Sequence, residues 1–531
     1  MPQTNSTDIA IVGAGVTGTS ILISTIENWI AKEKKGSITI IEKSNFLGPG
    51  LPFNPEQPKT LRINDPFNAS DIVAQEDYSF FHWLKLENDK GNPEVTVLGV
   101  GDKTLDDRFP PRAVYGKYCE WAFKKAVTKA IYHGISIHLL HKTEVVDVLK
   151  RDENWELHLN NNMTIKASNL ILATGHMPSD HYVEYENTPG FFATPWQDLS
   201  HIPAHEAVIV FGSGLSAIDT AKKLHAQAHT GKIYFVSQSG ALPAVKPPRH
   251  NQTVALQFLK RENVDKPGLT LKEYLHLFQQ ELNLHTTTPI DFEKKLTTQL
   301  DPKSWLEKNI ALAEKGVVRT WQLLLDEIYF YSLPYAWKHL SDTDRATLMN
   351  HYFGPYLKWA AGTPLANAKE ILALLESGQL EIIRGAPQIH TTEKGFELEF
   401  SNPPRKIVAK YAINGTNMGH NIDRNPLLNK MRRRKFIAKA SQGGIKVDPF
   451  TYQVIDPQNE KEETHANLLS AGPTIFGSNP AVYAIEASAF AGRDIGKAQA
   501  SILPHSLFKQ SSKASDTTNL GIGQINRIRC A

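Results

Sequence analysis

Two stretches of this chain are written to one plan. Residues 8–18 read DIAIVGAGVTG and residues 207–224 read AVIVFGSGLSAIDTAKKL; in each, a β-branched run ends on Gly-x-Gly and continues into apolar positions of helical spacing. A strand, a sharp turn and a helix in that order confine each stretch to a Rossmann-like unit of a parallel sheet. In the first copy Gly13 permits the turn, Gly15 lets an anion approach the backbone, and Gly18 lets the helix lie close to the strand. Ile21, Ile26, Trp29 and Ile30 then mark the buried face of that helix. Amides at the helix N-terminus are natural partners for a pyrophosphate. Gly13, Ala14, Gly15, Val16, Thr17 and Gly18 are therefore the first candidate dinucleotide contacts. The next strand, SITIIEK, ends on Glu42, whose carboxylate suits the two hydroxyls of an adenosine ribose, with Lys43 beside it.

The second copy offers Gly212, Ser213, Gly214, Ser216 and Ala217, and alanine in the third glycine's place still allows close packing. Two dinucleotide sites in one chain suit a redox carrier that stays and a second that arrives, donates hydride and leaves. FAD with NADP (or NAD) is the natural pair. After the strand KIYFVSQSGALP, Gln238 and Ser239 stand where an arginine often meets a 2′-phosphate. No acid there selects NAD, while Lys246 and Arg249 are near enough to serve a phosphate, which tips the reading toward NADPH.

The totals narrow the classes. A chain of 531 residues is long enough for two or three domains, and a formal charge of +3 gives no reason to expect nucleic acid or an anionic membrane as partner. The two cysteines, Cys119 and Cys530, are far apart and lack a Cys-x-x-Cys spacing, which argues against a disulfide scaffold, a structural zinc and a redox-active dithiol. No metal is expected. No basic segment precedes an apolar core near the start, and no apolar run is long enough to span a bilayer, so a reduced cytoplasmic compartment is the expectation.

Further segments extend the pattern. SNLILATGHMP places Ala173, Thr174 and Gly175 after an apolar strand, and KYAINGTNMGH repeats the layout with Gly415 and Thr416. With GPGLPFN at 48–54, LRINDP at 61–66, DRFPPRAVYGKYCEW at 107–121 and LLSAGPTIFGSN at 468–479, the chain resembles bacterial FAD/NAD(P)-binding proteins related to class B flavin monooxygenases. That group is similar to the ornithine and lysine N-hydroxylases and, more distantly, to Baeyer-Villiger enzymes. The resemblance spans residues 7–500 and is strongest at the two glycine loops. It implies that Gly48, Gly50, Asn64 and Pro66 pass beside the flavin ring, and it adds Val146, Ala173, Thr174, Gly175 and Gly472 to the cofactor contacts. Arg112 is either a cofactor or substrate contact or an exposed arginine ahead of an amphipathic helix. The chain departs from two relatives: Pro473 follows Gly472 where disulfide reductases carry Gly-Asp, and Phe192 stands where the Baeyer-Villiger fingerprint needs histidine.

The fold expected is α/β, with two Rossmann-like dinucleotide-binding domains, for FAD and NAD(P)H, and a helical insertion. Residues 1–202 and 419–505 form a discontinuous FAD domain and residues 203–418 the NAD(P)H domain, with the insert at 250–376 and a polar tail at 506–531. Trp305, Trp321, Tyr329, Trp337 and Trp359 in the insert either line a substrate pocket or form plain core. Arg432, Arg433, Arg434 and Lys435 read as a solvated face.

The chemistry implied is reduction of FAD by NAD(P)H followed by oxygen transfer to a small organic substrate, which requires no side-chain nucleophile. No catalytic residue is assigned; His176 and His250 are weak candidates for proton handling. Two alternatives stay open: a flavin oxidoreductase serving another acceptor, and a cofactor-binding scaffold without turnover. The substrate and the oligomeric state are open as well.

Overall fold

The computed structural model describes residues 4–99, 109–246, 254–286, 289–292, 301–317, 319–459 and 463–501. Arg249, His250, Cys530 and the tail at 506–531 lie outside the described residues.

The strands are β1 (Thr4–Val12), β2 (Ser37–Ile41), β3 (Ser136–Leu140), β4 (Val145–Arg151), β5 (Asn154–Leu159), β6 (Thr164–Leu172), β7 (Phe191–Phe192), β8 (Val208–Phe211), β9 (Ile233–Ser237) and β10 (Val245–Lys246). They continue as β11 (Thr363–Pro364), β12 (Leu380–Arg384), β13 (Gln388–Thr392), β14 (Gly395–Ser401), β15 (Pro404–Ala409), β16 (Tyr411–Asn414), β17 (Gln453–Ile455) and β18 (Thr464–Ser470).

The first sheet runs β17-β18-β6-β1-β2-β3, parallel from β18 to β3, with the β4–β5 hairpin pairing antiparallel to the first half of β6. Ile9, Ile11, Ile38, Ile40, Leu170 and Ile171 are almost wholly buried, as strands covered on both faces require. The second sheet, β12-β9-β8-β16-β7, is parallel throughout, and β13-β14-β15 form a separate antiparallel sheet between β12 and β16. Both Rossmann units are therefore present.

One boundary needs correction. The strand β7 pairs with β16, and Leu199 and Ile202 pack in the second core, so the chain has entered the second unit well before residue 202. Tyr182, stacked 4.1 Å from Phe211, is part of this passage. The insert is also divided in its allegiance. Its helices Pro302–Glu314 and Leu365–Glu376 bury Leu306, Ile310, Ala368 and Ile371 in the second core, whereas Trp321, Leu324, Ile328 and Trp337 join the first. Between them, β10 and β11 pair side by side and frame the insert at its base.

The helix Val16–Ala31 packs along the helix Ile485–Ser501. A methyl added at Gly492 would lie 2.1 Å from Ser20 Oγ, and one at Gly496 would lie 2.6 Å from Ser24 Cβ, so the small residues are what let these helices touch.

Candidate active site

A single cavity of about 1610 Å³ opens at the carboxyl ends of both sheets and is lined by Gly13, Gly15, Glu42, Gly212, Gly214 and Ser237, among others. Single-ligand pockets run to about 300–1,000 Å³, so there is room for more than one bound molecule.

The two glycine loops are built in the same register. Gly13 N donates to Ile41 O at 2.8 Å, and Gly212 N donates to Val236 O at 2.7 Å. Gly13 (φ +104°) and Gly212 (φ +111°) sit in the left-handed region, and a methyl added there would lie 2.2 Å from Ala173 O and 2.7 Å from Gly415 O respectively. Ala173 and Gly415 thus occupy equivalent crossings, each bonded through its N–H to the last residue of the strand before the loop, at 2.9 Å. Gly18 and Ala217 are equivalent too: a methyl at Gly18 would lie 2.0 Å from Gly13 O, while in the second unit the methyl is on Ala217 and the crossing residue is glycine.

Neither helix N-terminus is capped by a side chain; Gly15 and Gly214 are the N-caps of Val16–Ala31 and Leu215–Ala226. Their first-turn amides face the cavity with nothing but a ligand or water to satisfy them, which is the condition a pyrophosphate needs. At Gly175 (φ +77°) and Gly214 an added methyl would meet no heavy atom within 4 Å, so the backbone leaves open room there. The Thr174 hydroxyl oxygen is buried without a hydrogen-bond partner. Geometry and orphaned donors fit dinucleotides at both loops.

Most predicted contacts are brought together. Gly13, Gly15, Val16, Thr17, Glu42, Lys43, Gly50, Asn64, Ala173, Thr174, Gly175, Gly212, Ser213, Gly214 and Ser216 all line the cavity. Glu42 already accepts Ala14 N and Ser44 N, each at 2.8 Å, which fixes its carboxylate at the end of β2 with lone pairs to spare. Gly18, Gly48, Ala217 and Gly472 serve packing instead: a methyl at Gly48 would lie 2.5 Å from Cys119 O, and one at Gly472 would lie 2.9 Å from Thr17 Oγ1. Gly48 N holds Ala14 O at 2.7 Å. Pro66 is buried off the lining, its carbonyl accepting Ser70 Oγ at 2.6 Å. Val146 is 37% exposed on β4, whereas its neighbour Val145 lines the cavity, as the strand's alternation requires.

Arg112 is neither exposed nor free. Its guanidinium meets the Asp219 carboxylate at 2.8 Å, the side chains being 9% and 7% exposed, and it also donates to Arg62 O at 3.1 Å. Asp219 belongs to the helix behind the second loop, so this ion pair joins the two units; burial pushes the Asp219 carboxyl up, and Arg112 opposes the shift. Sequence reasoning offered no sign of Asp219, because a helical acid reads as solvated.

On the opposite wall, His176 stacks parallel to Tyr483 with centroids 5.8 Å apart, and the Tyr483 hydroxyl lies 3.1 Å from the His420 ring nitrogens. Burial pushes His176 and His420 each down to about 4, so both imidazoles are neutral at pH 7. Of the insert's aromatics, Trp305 and Tyr329 line the cavity. Trp321, Trp337 and Trp359 are core; the Trp337 indole donates to Gly477 O at 2.9 Å. The basic cluster is partly paired rather than simply solvated, Arg432 with Asp423 and Arg434 with Asp147. Among the described residues no helix is long and apolar enough to cross a membrane, and no group of three His, Cys, Asp or Glu is arranged to hold a metal.

Comparison with known proteins agrees with this geometry. Residues 10–177 match the family described as FAD-NAD(P)-binding, and residues 103–257 match the L-lysine 6-monooxygenase/L-ornithine 5-monooxygenase family. The reduced ornithine hydroxylase of Pseudomonas aeruginosa superposes with a TM-score of 0.59 at 12% identity, over 93% of this chain and 99% of that one. The chain has the fold of these flavin monooxygenases. The L-lysine 6-monooxygenase of Pseudomonas syringae gives 0.54 at 15% identity, covering 95% and 99% of the two chains. The FAD-bound cadaverine monooxygenase of Erwinia amylovora gives 0.52 at 12%, covering 98% and 100%. Among curated proteins, the nitrosuccinic acid synthase of Aspergillus oryzae is 26% identical over 242 residues, 41% of this chain and 35% of that protein. The match thus spans about a third of that relative's length.

Proposed function

We propose that this protein is an FAD-dependent, NAD(P)H-using oxidoreductase of the monooxygenase kind, acting in the cytoplasm on a small organic substrate. The observation that carries the reading is that two uncapped glycine loops in one register open onto a single cavity. When bound, the flavin accepts hydride from the nicotinamide and, with dioxygen, supplies an oxygen atom to the substrate.

The chain's own part is placement and exclusion. The loop Gly13–Gly18 holds a pyrophosphate at the helix N-terminus while Glu42 orients the ribose. Across the cavity, Gly212–Ala217 does the same for the second nucleotide, and the Arg112–Asp219 pair sets the angle between the units. Tyr329, Phe330, Met349 and Phe353 of the insert give the cavity an apolar wall that keeps water from the reacting centre. Tyr483 and His420 add a neutral hydrogen-bonding pair on the facing wall.

The test is direct. The purified chain should be yellow, bleach under nitrogen with NADPH, and on admission of air consume NADPH faster when a substrate is present. Relatives named for ornithine, lysine and cadaverine make primary amines the first compounds to try. A colourless chain that fails to take up added FAD would overturn the reading. Bleaching without oxygen transfer to amines, ketones or sulfides would make it an oxidoreductase with another acceptor, and no bleaching would make it a scaffold.

A further inference from the structure

The second nucleotide site differs from the first at one decisive position. Val12 pairs with Ile41 and Phe211 with Val236, so the residue after each, Glu42 and Ser237, is equivalent. At the first site an acid lines the cavity where a ribose would lie; at the second stands a neutral hydroxyl, bonded to Ser213 Oγ at 2.8 Å. A ribose phosphate would be repelled at the first site and is tolerated at the second.

The same cavity, on the wall tied to the loop that follows β9, carries a cation that no carboxylate pairs with among the described residues. Lys358 belongs to the insert helix Gly354–Ala360, and its carbonyl accepts Ala244 N at 2.8 Å, which ties it to the loop that follows β9. It is half-buried and lines the cavity together with Gln238 and Ser239. Its ammonium lies 4.8 Å from the centre of the Trp305 ring, and among the described residues no carboxylate pairs with it. The other partly buried cations on the wall are engaged: Arg112 with Asp219, and Lys246 with Asp65 at 3.3 Å. Burial alone lowers Lys358 from its ordinary value. A half-buried ammonium with only an indole beside it gains from an anionic ligand.

We infer that Lys358 anchors a phosphate on the ribose of the nucleotide held at the second glycine loop, so that the helical insert selects the phosphorylated coenzyme. This rests on the proposed function. Lys246, which the sequence put forward for that task, is held by Asp65 instead.

The experiment titrates the full chain with 2′,5′-ADP and with 5′-AMP by calorimetry. The wild type should bind 2′,5′-ADP about tenfold more tightly or better, the factor expected of one charge-assisted contact worth about 1.4 kcal/mol. Lys358→Met should remove the preference while 5′-AMP binds within about twofold of wild type, and Lys358→Arg should keep most of it. If Lys358→Met does not fold, Ser239→Glu supplies the second route, because a carboxylate there should repel the same phosphate. Equal affinity for the two nucleotides in the wild type, or an unchanged preference in the variants, overturns the inference. A chain that binds both equally and bleaches with NADH and NADPH alike loses this inference and keeps the proposed function.

Discussion

The two glycine loops share a register and differ in enclosure. Over the first, the segment Gly48–Gly50 folds back so closely that a methyl at Gly15 would sit 3.3 Å from Gly50 Cα. Over the second, an added methyl at Gly214 finds open space. One cradle is roofed and the other is bare, which is the difference expected between a nucleotide that is kept and one that exchanges. The same plan therefore gives one loop covered by a crossing segment and one left open.

Substitution can break that comparison most sharply at the roofed loop. Gly13→Ala forces a methyl against Ala173 O at a φ that side chains rarely adopt, and should cost about 3 kcal/mol or more together with the bound flavin. Visible absorbance and thermal melting would read both losses; a yellow, normally stable variant would refute the assigned role. Arg112→Met comes next, because it strands the Asp219 carboxylate between the units and should cost about 3–5 kcal/mol in denaturant unfolding. Replacing both partners with apolar residues should recover much of that cost.

Gly214→Ala sharpens the contrast from the other side. With φ at −84° and room for the methyl, the protein should fold and stay yellow. Its KM for the nicotinamide should rise by about tenfold, since the side chain takes space where the backbone meets the phosphates. The smallest effect is in pH. His176 and His420 have folded pKa values near 4, below the ordinary 6.5, so their contribution to stability is complete above pH 6.5 and is lost as pH falls toward 4. Melting temperature should decline across that window, and His420→Gln should flatten part of the decline.

Much of the architecture was legible because short-range signals carry it. Strand, glycine turn and helix are adjacent in sequence, so both Rossmann loops, and the crossings at Ala173–Gly175 and Gly415–Thr416, were visible before any contact was known. What escaped notice depends on distant pairing. The strand Phe191–Phe192 has only two residues and gains its identity from β16. For Arg112 the sequence leaves a ligand contact and a surface arginine equally open, and neither reading contains Asp219, 107 residues away. Sequence spacing points to Gln238 and Ser239 rather than Ser237, because the two units place Glu42 and Ser237 at different distances from their glycine loops and only strand register aligns them. Lys358 had no sequence signal at all: a lone lysine in a helix becomes notable only when burial removes its counterions.

The helices Val16–Ala31 and Ile485–Ser501 meet through a stripe with no side chains to spare, and Thr17 Oγ1 reaches Ser488 Oγ at 2.8 Å across it. The Trp29 indole closes the far end on Gln499 O at 3.3 Å. The helix after the first glycine loop is thus left without its mate until Ser488, 471 positions beyond Thr17, has been made. Until that partner emerges, the growing chain carries an apolar helix awaiting cover.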